Sequence, residues 1–143
     1  MITYKTWHNL LDMEKHDQAW HEQDIIDELN ELKEATGLID KWSEMSDVVY
    51  TVTRARWSGH KLKFPIQKQK VLIGSLYMFP KYTSRWVFFY TAGKKAGANR
   101  KVTEVRNPAK LHKLHHIASK YNIDSDIFAS ICEQQTRYWP LLK

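Results

Sequence analysis

Hydrophobic residues recur along this chain at the three- and four-residue spacing of α-helices, and short polar segments with glycine or proline separate them. We expect Gly37 to end the second helix in the left-handed conformation, Gly59 to follow the third, and Pro80 to end the fourth. Asp124 is expected to cap the last helix. The pattern therefore predicts an all-α fold of antiparallel helices, with helices at about 4–15, 18–36, 39–58, 65–79, 108–121 and 125–138.

The pattern does not decide the secondary structure of residues 84–92 (SRWVFFYTA). Its β-branched and aromatic residues allow a strand, but its isolated position favours a helix or a buried extended segment. No repeat or Gly/Ser-rich linker divides the chain. We therefore expect one domain over residues 1–143, with an N-terminal helical core at 1–62 and a basic C-terminal helical region at 63–143 that ends in an extra helical hairpin.

Length and composition then narrow the class of protein. The chain has 143 residues, of which 43% are hydrophobic and 27% are charged, as in globular domains. The single cysteine, Cys132, excludes an internal disulfide and a cysteine-based zinc cluster. No apolar run reaches the roughly 18 residues of a membrane span, and the N-terminus lacks the apolar core of a secretory signal. We expect a cytoplasmic protein without a membrane partner.

The net charge of +6 conceals a separation of charge along the chain. Residues 22–47 hold nine Asp or Glu against two Lys, whereas residues 54–120 hold 16 Lys or Arg against one acid, Glu104. A basic protein usually suggests nucleic acid as a partner. This separation instead suggests a ligand that uses a concentrated negative site and a concentrated positive one.

The acidic residues sort by helical phase. At about 100° per residue, four acids of the second helix share one face, opposite Ile25, Ile26, Leu29 and Leu32; they are Asp24, Asp27, Glu28 and Glu31. In the next helix Glu44 and Asp47 are three residues apart, and Arg54 follows on the same face. An acidic stripe is ordinarily a solvated helix face. Two such stripes on adjacent antiparallel helices instead favour hard oxygen ligands for Mg²⁺ or Mn²⁺.

These residues also carry a resemblance to a known family. DELNE at 27–31, followed after twelve residues by EMSD at 44–47, resembles the E-E-x-x-E…E-x-x-D signature of MazG-like nucleoside triphosphate pyrophosphohydrolases. The sequence departs from that signature at its first acidic position, where Asp27 stands. The similarity covers about residues 18–58, which is less than a third of the chain.

The resemblance implies a MazG-like helical bundle with an antiparallel metal-binding helix pair, assembled as a homodimer or homotetramer. It implies Mg²⁺-dependent hydrolysis of a (deoxy)nucleoside triphosphate to the monophosphate and pyrophosphate, with Mn²⁺ as a substitute. By motif position Glu28, Glu31, Glu44 and Asp47 would be the metal ligands, and Asp27 would support them. We further expect Glu31 or Asp27 to accept the proton of the attacking water.

The remaining site residues are expected to hold the substrate. The basic segment before the helix at 108–121 and the free N–H groups of that helix favour phosphate binding; the candidates are Arg54, Lys101, Arg106, Asn107 and Lys110. A solvated basic face is the alternative. Trp20 or His21, just before the first acidic motif, are the candidates for contact with the base.

Three alternatives stay open at this point. A phage-type enzyme acting on (d)GTP in the host cytoplasm and a dUTP pyrophosphatase of the same superfamily are variants of one activity. A basic nucleic-acid-binding helical module without catalysis is a different function, but its acidic block would be repelled by a phosphate backbone, so we do not expect nucleic acid as a partner. A helical interaction protein without chemistry is the third.

Overall fold

The computed structural model describes residues 3–138, except for the side chains of Leu111 and His112. Over that range the fold is all-α, as predicted, and contains no strand. The helices are α1 (Tyr4–Leu11), α2 (Gln18–Glu34), α3 (Leu38–Trp57), α4 (Lys68–Lys95), α5 (Leu111–Lys120) and α6 (Ser125–Thr136). Within residues 3–138, none of these helices combines the length and the apolar composition that a bilayer crossing requires.

Side-chain caps fix several helix ends. Asp17 accepts a hydrogen bond from the backbone N–H of Trp20 (2.8 Å) at the start of α2, and Asp124 caps α6 as predicted. Gly59 follows α3 with a φ of +103°, a conformation that glycine adopts without strain. The prediction for Gly37 is wrong, because this residue is the extended N-cap of α3 with a φ of −87°, and α2 ends earlier, at Glu34.

Pro80 does not end a helix, which corrects the predicted boundary. α4 passes through Pro80 and continues to Lys95, so the ambiguous segment 84–92 is helical. Proline removes one N–H donor and crowds the preceding turn. Burial of the following residues offsets that cost, since Phe88, Phe89 and Ala92 have no exposed surface.

The chain divides into two compact units at Pro80. In unit 1, which ends at Pro80, α1 and α2 both pack against α3. The α1 contact includes a hydrogen bond between His8 Nε2 and Thr53 Oγ1 (2.9 Å) and one that Trp57 Nε1 donates to Asn9 Oδ1 (2.7 Å). α3 is the central helix of this unit, because Met45, Ser46 and all residues from Val48 to Ala55 are buried.

Unit 2 begins at Lys81 and has its own core. α5 and α6 pack together, and their apolar residues join those of α4 and the loop after it; the fully buried set is Phe88, Phe89, Ala92, Val102, Leu114, Ile117, Ala118, Tyr121, Phe128 and Cys132. Gln135 of α6 donates a hydrogen bond to the carbonyl of Phe88 (3.1 Å), which ties α6 to α4. Burial in this core raises the pKa of Cys132 to about 12, so its thiol stays protonated at neutral pH.

α4 approaches α3 closely at Gly74, within unit 1. A Cβ atom at this position would lie 2.6 Å from the Met45 carbonyl oxygen and 2.8 Å from Val49 Cγ2. We expect Gly74→Ala to lower the free energy of unfolding by about 1–3 kcal/mol, because the helices must separate. Urea unfolding measures this change. Leu76→Ala, at a position that is 70% exposed in the same helix, should change stability by less than about 1 kcal/mol; equal losses would contradict the close approach.

Candidate functional site

The candidate site lies between α2 and α3. The turn that joins them is short, and residues early in α2 meet residues late in α3, since Trp20 contacts Arg54 while Glu31 approaches Glu44. This register makes the two helices antiparallel. The hairpin therefore brings the acidic faces of the two helices together, as the helical phase of the sequence predicts.

Three of the predicted metal ligands converge. Glu28, Glu31 and Glu44 each present a carboxylate oxygen, and these oxygens lie within 4.8 Å of one another. Opposite oxygen ligands of a Mg²⁺ ion are about 4.2 Å apart, since each Mg–O bond is about 2.1 Å. Small side-chain adjustments would therefore let all three carboxylates bind one cation. The donor set of three carboxylates suits Mg²⁺ or Mn²⁺.

Electrostatics at Glu28 indicate a site that favours a cation. Burial, followed by the charges of Asp47, Glu31, Asp24 and Glu44, raises the pKa of Glu28 from 4.5 to about 8. The charge of Asp47 acts on Glu28 from the neighbouring helix, although Asp47 is not one of the three converging carboxylates. Without a cation, this side chain is largely protonated at neutral pH.

Asp24 is a site residue that the sequence motif did not include. It lies on the acidic face one turn before Glu28, and burial raises its pKa, while the nearby charge of Arg54 acts in the opposite direction. The charges of Asp27 and Asp47 raise this pKa further. Asp24 is therefore close enough to Arg54 and to Asp47 for both charges to act on it. Its position on the stripe was visible in the sequence, but its proximity to Arg54 depends on the register of the hairpin.

Asp27, a predicted supporting and catalytic residue, lies toward solvent. Its side chain is exposed and accepts a hydrogen bond from Gln23 Nε2 (2.8 Å). It is not among the converging carboxylates, although its charge raises the pKa of Asp24. Its assignment as a proton acceptor stays a prediction.

Arg54 is the phosphate-binding candidate that shares unit 1 with the carboxylates. Only 9% of its surface is exposed, and its Nη2 donates a hydrogen bond to the Glu14 carbonyl (2.7 Å). Its Nε is buried without a hydrogen-bond partner among the described residues. A buried donor of this kind is costly unless a ligand satisfies it.

An aromatic cluster surrounds Arg54. The guanidinium lies 5.0 Å from the ring of Trp20, which is 39% exposed and stacks on His16 at 3.9 Å. His21 is fully buried beneath, and its ring contacts those of Trp20 and His60. Burial and then the charge of Arg54 lower the pKa of His21 to about 4, so it is neutral. Of the two predicted base-binding residues, Trp20 is therefore the one with exposed ring surface.

The other four phosphate-binding candidates lie in unit 2. Arg106 lies 3.7 Å from Glu104, and Asn107 Oδ1 accepts the N–H of Ala109 (3.0 Å). α5 begins at Leu111, three residues after the predicted start at Pro108, because residues 108 and 109 form a turn. Lys101 and Lys110 are exposed. The phosphate-binding roles of these four residues stay predictions.

Comparisons with protein-family models, with curated proteins and with solved structures found no match to this chain.

Proposed function

We propose that this protein is a Mg²⁺-dependent nucleoside triphosphate pyrophosphohydrolase. The observation that carries this proposal is the convergence of Glu28, Glu31 and Glu44 within 4.8 Å, on the helices that hold the acidic motifs. Carboxylates from two helices converge here around a group whose pKa is raised to about 8, so their mutual repulsion costs stability unless a counter-charge is present. A divalent cation that binds there offsets this repulsion.

The carboxylates supply the ligands in this proposal. Glu28, Glu31 and Glu44 hold the cation, and Asp47 and Asp24 add negative charge around it. When bound, the metal lowers the pKa of a water molecule and neutralises charge on phosphoryl oxygens. Glu31 is exposed, unlike Glu28 and Glu44. Among the three, it is therefore the carboxylate best placed to accept the proton of the attacking water.

Arg54 and Trp20 act on the rest of the substrate. The Arg54 guanidinium has an unsatisfied buried Nε and donates a charge-assisted hydrogen bond to a phosphate oxygen. Trp20 offers its exposed ring as a stacking surface for the base. The substrate lies along the α2–α3 hairpin, from the carboxylates to Trp20. We further propose a homo-oligomer, dimer or tetramer, whose neighbouring copy completes this narrow site.

Incubation with Mg²⁺ and each ribo- and deoxyribonucleoside triphosphate, dUTP and dGTP included, tests the activity. We expect the monophosphate and pyrophosphate as products, and no turnover in EDTA. A β,γ-imido analogue should be cleaved and an α,β-imido analogue should not, because the bond broken lies between the α- and β-phosphates. Release of orthophosphate, or no turnover of any nucleotide, would overturn the proposal.

A further inference from the structure

Unit 2 contains a cleft that the proposed hydrolysis does not use. It lies where α4 ends and the following loop folds back, and its volume is about 260 Å³. Its lining residues are Tyr90, Lys94, Ala98, Asn99, Arg100, Lys101 and Val102. Three of the seven are cations, and none is an acid.

Two stacked aromatic rings lie beside this cleft, and an ammonium group lies near each of them. Trp86 and Tyr90, one turn apart on α4, stack with ring centroids 5.2 Å apart and planes within 4°. The ammonium of Lys101 lies 4.9 Å from the Trp86 ring, and that of Lys94 lies 4.7 Å from the Tyr90 ring. A hydrogen bond from Lys94, with the nearby charge of Lys101, lowers the pKa of Tyr90. Both lysines are therefore held at the aromatic pair.

Contacts within unit 2 hold the loop in place. Ala98 N donates a hydrogen bond to the Gly93 carbonyl (3.0 Å), which closes the turn after α4. Arg100 Nη2 donates a hydrogen bond to the Lys120 carbonyl (2.9 Å), and its guanidinium lies 4.3 Å from the Tyr121 ring. Val102 is buried in the core. The cleft is thus formed by residues that the fold already fixes, which lowers the entropic cost of binding.

The charge of unit 2 favours a polyanion. Residues 81–143 hold 12 Lys or Arg and four Asp or Glu, a net charge of +8, whereas residues 1–80 hold ten and 12, a net charge of −2. Of the four acids in unit 2, Glu104 is buried beside Arg106 and the others are on or next to α6. The positive charge of the chain is therefore concentrated in the unit that contains the cleft.

We propose that this cleft binds single-stranded nucleic acid. Its phosphates contact Lys94, Arg100 and Lys101, and its bases pack against Trp86 and Tyr90. Cations next to aromatic rings suit an unpaired strand, because its bases stack on the rings and its phosphates carry the negative charge that the cations bind. A duplex encloses its bases and cannot use the rings. A free nucleotide uses only part of the surface.

Fluorescence anisotropy of a labelled oligothymidylate of about 16 nucleotides, titrated with the full chain at about 50 mM salt, tests this binding. We expect saturable binding that weakens with salt. Lys94→Glu plus Lys101→Glu should weaken it at least about tenfold and reduce the salt slope by about 1.4, since each lost phosphate contact removes about 0.7. Lys94→Gln plus Lys101→Gln is the milder variant if the first fails to fold.

The matched control is Lys61→Glu plus Lys63→Glu, which makes the same charge change at two exposed positions of unit 1. It should weaken binding less than about threefold and leave the slope unchanged. Tyr90→Leu should weaken binding about tenfold, and Tyr90→Phe should retain it. Labelled single-stranded RNA of equal length should bind as well, because the cleft contacts features common to both strands.

Three results would overturn the proposal. An unchanged anisotropy at about 50 mM salt would show that the strand does not bind. Equal losses of affinity in the two glutamate variants would show that the net charge of the protein, and not this cleft, determines binding. Competition by ATP or by duplex DNA as strong as that of the unlabelled strand would assign the cleft to free phosphate or to double-stranded DNA. None of these outcomes depends on nucleotide hydrolysis, so failure here leaves the proposed function untouched.

Discussion

We expect Glu28→Gln plus Glu44→Gln to lose at least about 10³-fold in kcat/KM for whichever nucleotide the protein hydrolyses. The two residues belong to different helices and contribute two of the three converging carboxylates. Glutamine preserves side-chain volume but removes the charge that holds a divalent cation. The charge stabilisation that such a cation supplies is several kcal/mol, and each 1.36 kcal/mol corresponds to a factor of ten.

The matched control is Glu22→Gln plus Glu34→Gln, two exposed positions of α2 away from the cluster. It makes the same change in net charge and should alter kcat/KM by less than about threefold. Circular dichroism should show equal helix content in both variants. Calorimetric titration with Mn²⁺ should detect binding in the control and none in the site variant. Full activity of the site variant would show that these carboxylates are not the site.

The acidic site was predictable because helical phase is a local property. About 100° per residue fixes which side chains of α2 share a face, and the short turn at 35–37 fixes the pairing with α3. The register of the pair is not local. It decides that Asp24 lies near Arg54 and that Asp27 lies toward solvent, and neither follows from the motif spacing.

Other features depend on contacts between distant residues, which explains why the sequence did not predict them. Pro80 is a local signal for a helix end, but burial of the aromatic residues after it keeps α4 continuous. The cleft in unit 2 depends on Lys101, a loop residue, reaching Trp86 on α4. His21 and His8 offer no sequence signal of burial, since histidine is equally common on surfaces.

The second large effect concerns stability without metal. Glu28 has a pKa of about 8 in the folded protein against 4.5 ordinarily, so between these pH values the folded state binds more protons than the unfolded state. Stability from this group therefore falls as pH rises through that window. In EDTA we expect Glu28→Gln to be more stable than the unsubstituted protein above pH 8, by on the order of 2–4 kcal/mol after solvent screening, with the gain absent below pH 4.5.

Two buried histidines change the dependence of stability on pH in the opposite direction. Burial, followed by the charge of Arg54, lowers the pKa of His8 to about 3 and that of His21 to about 4, from 6.5. The unfolded state then binds more protons, so their contribution to stability rises with pH up to about 6.5. The Glu28 effect is therefore measured as the difference between the variant and the unsubstituted protein at each pH, in which the histidine contributions cancel. Glu34→Gln, at an exposed position of the same helix, is the control variant.

Divalent cation should reduce this difference in stability between Glu28→Gln and the unsubstituted protein. A ligand that binds only the folded state stabilises it by about 2.7 kcal/mol at 100 times its Kd, and ligation requires Glu28 to be ionised. At pH 8 we expect Mg²⁺ or Mn²⁺ to raise the Tm of the unsubstituted protein by several degrees and to leave Glu28→Gln unchanged, with NaCl at matched ionic strength as the control. Thermal unfolding with and without metal measures both. Equal stabilisation of the two proteins would place the cation elsewhere, whereas a rise confined to the unsubstituted protein links the repulsion at Glu28 to cation binding.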